Sequence, residues 1–132
     1  MLDFLTGCPT STVGGVSGWW CRPESARTGE AILHIHGGWF NWGSAQAFRH
    51  LAGHMAARAR VEAFVPDHRL TPERPFPAAA EDVRASYFGL IERGYSKIAV
   101  TGDSAGGNLA LGLLIFLSAN RSGGEVAPVG AV

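Results

Sequence analysis

The chain has 132 residues, which suits a single domain. Hydrophobic residues make up 46% and charged residues 17%, so the sequence can fill a core and is not that of a disordered chain. Eleven basic and eleven acidic side chains cancel and lie dispersed, which excludes the basic face a nucleic-acid partner would need.

Residues 10 to 21 read as two short strands around Gly14-Gly15, ending in Trp19-Trp20-Cys21. Cys8 and Cys21 have no CxxC spacing and no histidine at ligand distance, so no metal site is expected. Two reduced thiols are the expectation, with a disulfide as the alternative. No basic segment followed by a long apolar stretch opens the chain. The longest apolar run, Leu109 to Leu117, is too short to span a bilayer. A cytoplasmic protein with no membrane span is the resulting expectation.

Arg22 to Glu30 is a polar loop. Ala31 to His36 is a buried strand stopped by Gly37-Gly38. Ser44 is a candidate cap for a helix in which Phe48, Leu51, Met55 and Ala59 recur at helical spacing. Val61 to Val65 is a short strand closed by Pro66-Asp67. Leu70 to Pro77 contains three prolines and reads as a stiff loop. Val83, Tyr87 and Leu90-Ile91 mark a second helix, ended by Gly94. Lys97 to Thr101 is a strand, Gly102 to Gly106 a sharp turn, and the residues through Leu117 a helix. Val126 to Val132 reads as a further strand. Strands alternating with helices predict an α/β fold, a mainly parallel sheet with helices on both faces and right-handed crossovers.

Two segments can carry chemistry. Gly102-Asp103-Ser104-Ala105-Gly106 follows a strand and opens a helix, the setting that a nucleophile elbow requires. The glycines relieve crowding around a strained serine, and the helix turns its positive end toward the site. Taken alone, G-x-S-x-G is also an ordinary strand-to-helix turn. His36-Gly37-Gly38-Trp39 ends an earlier strand, where adjacent glycines can expose N–H donors to an oxyanion. Taken alone, it too is a plain turn. A loop of donors followed by a serine elbow, in that order, is what acyl transfer needs.

Three motifs together resemble the hormone-sensitive-lipase-like branch of α/β-hydrolases. They are His36-Gly37-Gly38-Trp39-Phe40, Asp67-His68-Arg69-Leu70-Thr71-Pro72-Glu73 continuing through Pro75-Phe76-Pro77-Ala78-Ala79, and Gly102 to Asn108. The resemblance implies the N-terminal half of an α/β-hydrolase fold. It also implies a small ester as substrate, Ser104 as nucleophile, Gly37, Gly38 and Ala105 as oxyanion donors, His36 as support for that loop, and no cofactor. Trp39 stands where the family has a third glycine, and His68 where it has tyrosine. His68 reads as a structural substitution.

In the family the triad acid and histidine follow the serine. The chain stops at Val132, so residues 1–132 are expected to form one truncated domain, impaired on its own and prone to self-association through an exposed sheet edge. His34 reads as a packed strand residue. His50 and His54 read as a solvated helix face. Asp67, Glu81 and Asp82 have no spacing that sets them behind a histidine. A ligand-binding protein that has lost the chemistry, and an amide hydrolase of the arylformamidase type, remain as alternative readings.

Overall fold

The computed structural model describes residues 10–120 and 127–132. Strands β1 (Thr10–Val13) and β2 (Val16–Cys21) form a hairpin in which Val13 pairs with Val16. The two-residue turn needs positive φ at both positions, and Gly14 and Gly15 supply 61° and 82°. After them come β3 (Glu30–Ile35), α1 (Arg49–Ala59), β4 (Glu62–Pro66), α2 (Ala78–Glu92), β5 (Lys97–Gly102), α3 (Ala105–Ala119) and β6 (Gly130–Ala131).

These strands form one sheet in the order β1-β2-β4-β3-β5-β6. Strands β4, β3, β5 and β6 run parallel, while β1 and β2 are antiparallel additions at one side. The sequence expectation of a mainly parallel sheet therefore holds, with an antiparallel flank. The last strand is shorter than expected. Only Gly130 and Ala131 pair with β5, and Ala127 to Val129 lie outside it.

Strand order dictates where the helices go. The chain moves from β3 to β4 in one direction, then back past β3 to β5 and on to β6. Right-handed crossovers turn that reversal into helices on opposite faces. Accordingly α1 covers one face, with Ala52 and Ala56 against Ile32, Ala63 and Val65. The other face holds α2 and α3, with Tyr87, Leu90 and Leu113 against Trp20, Leu33, Ile35 and Phe64.

The α1 stripe differs from its sequence reading. Leu51 and Ala59 are exposed, and the buried positions are Ala52, Gly53 and Ala56, flanked by Phe48 and Met55. Ser44 does not cap α1 either. Its Oγ accepts from Ala47 N–H at 3.1 Å, capping the turn before the helix. Phe48, which has no capping side chain, is the N-cap. No described helix is long and apolar enough to cross a membrane. Cys8 lies outside the described residues. Cys21 is buried, with its Sγ 3.7 Å from the Arg49 carbonyl.

Candidate active site

Strands β3 and β5 are parallel neighbours whose following helices depart to opposite faces. Such a reversal opens a crevice beyond the carboxyl ends of the strands. The register makes this concrete. His34 pairs with Thr101 and Ile35 with Gly102, so the next residues outward, His36-Gly37 and Asp103-Ser104, meet across the crevice.

Ser104 sits at the N-cap of α3 with φ 53° and ψ −121°, a conformation that costs a non-glycine residue of order 1–3 kcal/mol. Its turn is held by Gly106 N–H donating to Asp103 O (2.8 Å) and by Asn108 N–H donating to Ser104 O (3.2 Å). The side chain is exposed, and no capping bond ties it to the helix. Ala105 follows as the first helical residue, where an N–H has no partner inside the helix.

The Gly37-Gly38 loop touches this elbow. A Cβ on Gly37 would lie 2.6 Å from Asp103 Oδ2 and 3.1 Å from Ser104 Cβ. A Cβ on Gly106 would collide with the Ile35 carbonyl oxygen. Only hydrogen at both positions lets the end of β3 and the start of α3 pass this closely. Gly38 has φ 133°, and its carbonyl accepts from Asn41 and Trp42 N–H at 3.0 Å, closing the loop on itself.

Gly37 has a partner in the elbow. Its N–H donates to Asp103 Oδ1 at 3.1 Å, so in this conformation the donor is already committed to a carboxylate. Asp103 is the residue that sequence reasoning missed. His34 Nε2 lies 3.3 Å from the same oxygen, without the alignment of a hydrogen bond, while its Nδ1 is 2.7 Å from Thr101 Oγ1. Asp103 thus brings the elbow, the Gly37-Gly38 loop and β3 together.

The histidines form a buried frame. His36 Nδ1 donates to Gly37 O at 2.8 Å, and its ring stacks on His68 with centroids 4.2 Å apart. His68 Nε2 donates to His36 O at 3.1 Å. His36 thus bonds to the Gly37 carbonyl, and His68 packs on its ring and bonds to its carbonyl. Burial pushes both His34 and His36 below the ordinary histidine pKa of 6.5. The Asp103 carboxylate opposes this for His34, and the bond to Gly37 O opposes it for His36.

The middle motif is a brace. Asp67 Oδ1 accepts from Ala45 N–H at 2.6 Å. Arg69 Nε grips both Asp82 oxygens at 3.1 and 3.0 Å, and its backbone N–H adds a 2.7 Å bond to Oδ2. Thr71 N–H donates to Phe40 O at 2.8 Å, anchoring the loop that follows Gly37-Gly38. Asp67, Glu81 and Asp82 are all engaged here rather than behind a histidine. His50 and His54 are exposed on α1, and no metal-binding cluster exists among the described residues.

Beside the serine a cavity of about 490 Å³ opens between α2, α3 and the loops. Trp39, Phe40 and Phe76 form its aromatic wall, and Asn108, Leu109 and Leu113 its floor along α3. Trp42 does not line it.

A family model described as the alpha/beta hydrolase fold matches residues 32–132. The chain belongs to that family. Its relatives include an acetyl-hydrolase of Streptomyces hygroscopicus, 38% identical over 92% of this chain and 40% of that protein. Mouse hormone-sensitive lipase is 34% identical over 68% of this chain and 13% of its own length. Among solved structures, an esterase from the bacterial hormone-sensitive lipase family superposes with a TM-score of 0.86 at 37% identity, covering 94% of this chain and 41% of that one. An esterase/lipase from an uncultured bacterium gives 0.85 at 36% identity, covering 94% and 42%. The chain thus spans about 40% of the length of the acetyl-hydrolase and of these two esterases.

Proposed function

We propose that residues 1–132 form one domain that carries the nucleophile and oxyanion hole of a serine carboxylic-ester hydrolase. Ser104 attacks the ester carbonyl, and the Gly38 and Ala105 N–H groups hold the tetrahedral oxyanion. Gly37 N–H joins them when Asp103 releases it. Water then removes the acyl group from the serine, with no metal or organic cofactor in the reaction. One observation carries this reading: the left-handed Ser104 lies in van der Waals reach of the glycine loop that would stabilise its product. Two fixed donors matter because losing one typically costs about 2.7–4 kcal/mol at the transition state.

The serine also needs a general base. Among the described residues no side chain hydrogen-bonds its hydroxyl, and His36 and His68 hold backbone carbonyls. His34 is occupied by Thr101 and Asp103. Removing a triad histidine costs on the order of 10⁶ in kcat. The 132-residue chain alone is therefore expected to turn over p-nitrophenyl acetate very slowly, and a fluorophosphonate probe, whose capture needs the same proton removal, to label Ser104 slowly but ahead of any other hydroxyl. Ser104→Ala should abolish the adduct, as read by intact mass. An adduct at another residue in preference to Ser104 would overturn the assignment of Ser104. Rapid turnover lost in Ser104→Ala would instead keep the assignment and overturn the expected slowness.

A further inference from the structure

The cavity beside Ser104 contains a charge pattern that ester hydrolysis does not require. Its walls are mostly apolar, yet two guanidinium groups, Arg74 and Arg84, line it and no carboxylate does. Three arginines elsewhere are paired with carboxylates: Arg69 with Asp82 and Glu81, Arg22 with Glu62, and Arg27 with Glu30. Neither Arg74 nor Arg84 makes an ion pair among the described residues. Arg84 is half-buried, and its guanidinium lies 4.3 Å from the centre of the Phe116 ring. That contact over the ring leaves the N–H donors of the guanidinium open to a further partner.

Position along α3 orders the cavity. Asn108, one turn after Ser104, lines its near end, and Gly112 and Leu113 lie about 12 Å from the serine along the helix axis at 1.5 Å per residue. Arg84 comes from α2 and reaches over this helix as far as Phe116. A ligand with its ester at Ser104 and an apolar stem along Leu109 and Leu113 would therefore end near an unpaired guanidinium.

Building on the esterase reading, we infer that this cavity binds esters whose far end carries an anion, of the class of half-esters of medium-chain dicarboxylic acids. Arg84 receives the terminal carboxylate, Arg74 adds to the positive potential at the cavity wall, and Trp39 and Phe76 flank the stem. Guanidinium suits this task because it stays charged and matches a carboxylate with two parallel N–H donors.

Binding can be measured without catalysis, so its failure is separable from failure of the esterase reading. In the full-length Ser104→Ala chain, calorimetric titration compares monomethyl suberate with dimethyl suberate, in which a methyl ester replaces the terminal carboxylate and removes its charge. The monoester should bind about tenfold more tightly at low ionic strength, the low end for a charge-assisted bond partly open to water. Raising the salt should shrink that advantage without weakening the diester. Arg84→Gln should reduce it to roughly threefold or less, and Arg74→Gln should lower it by a smaller factor. Equal affinities in the Ser104→Ala chain, no binding of either ester, or an advantage unaffected by salt would each overturn the inference. The salt series needs no arginine variant, so it decides the matter even where Arg84→Gln does not fold.

Discussion

Under α1 the sheet presents Ile32, Ala63 and Val65 to Ala52 and Ala56. Under α2 and α3 it presents Trp20, Leu33, Ile35 and Phe64 to Tyr87, Leu90 and Leu113. Small residues bring α1 close to the sheet, and the space left at the strand ends is taken by His34, His36 and His68, with Phe48 against the first two. On the opposite face large side chains fill the core and then give way to the cavity. One face positions the loop, the other holds the candidate binding space, and Ser104 stands at the seam where β3 and β5 send their chains apart. Stability should therefore rest on the large-residue face, and loop geometry on the imidazole face.

The largest expected effect lies on the seam itself. Gly106→Ala would drive a methyl into the Ile35 carbonyl, a backbone group that cannot turn aside. It should cost about 3 kcal/mol in urea unfolding, because α3 must lift off β3. Gly112 on the same helix has nothing within 4 Å of an added Cβ. Gly112→Ala should therefore gain up to about 1 kcal/mol from helix propensity alone. Equal effects at the two glycines would show that close approach at the seam does not govern stability.

The faces themselves can be compared next. Leu113→Ala removes a side chain that is 2% exposed between α3 and the sheet, and should cost about 3 kcal/mol. Ala56→Gly on α1 should cost about 1 kcal/mol, mostly helix propensity. Chemical denaturation of the two variants would break the comparison if the α1 substitution proved the costlier.

Protonation probes the imidazole face alone. His34 and His36 have pKa values held below 6.5 chiefly by burial, so the unfolded chain binds more protons than the folded one as acid is added. Stability from these groups is fully present above pH 6.5 and declines as the pH falls through their folded values. His36→Asn should flatten that acid limb of the unfolding free energy. A limb of unchanged slope would mean that other groups produce it.

Much of this architecture is written locally. Apolar runs mark β3, β4 and β5, and the paired glycines mark the hairpin. The α1 stripe was misplaced because Leu51 outweighs alanine on any apolar scale, whereas packing selected the small residues. Asp103 was invisible for a different reason: its role depends on the β3–β5 register, which carries residue 37 opposite residue 104. The Arg69–Asp82 fork spans a proline-rich loop that no periodicity describes. Spacing could name the serine and its glycine loop, but the groups holding them together required the pairing of distant strands.

The smallest expected effect concerns Trp39, which stands at φ 58°, in the region that favours glycine, with 78% of its surface exposed. A left-handed tryptophan costs about 1–2 kcal/mol in backbone strain. Trp39→Gly removes that strain but gives the unfolded chain more freedom, worth about 0.5–1 kcal/mol in the opposite direction. The net gain in stability should stay below about 1 kcal/mol. The same change deletes one wall of the cavity, so binding of monomethyl suberate should weaken while the melting temperature holds or rises slightly. Opposite movements of stability and binding at one residue would mark Trp39 as strained for the sake of the site. If both fall together, Trp39 is packing that the fold needs, and the separation between a binding face and a positioning face loses its clearest boundary residue.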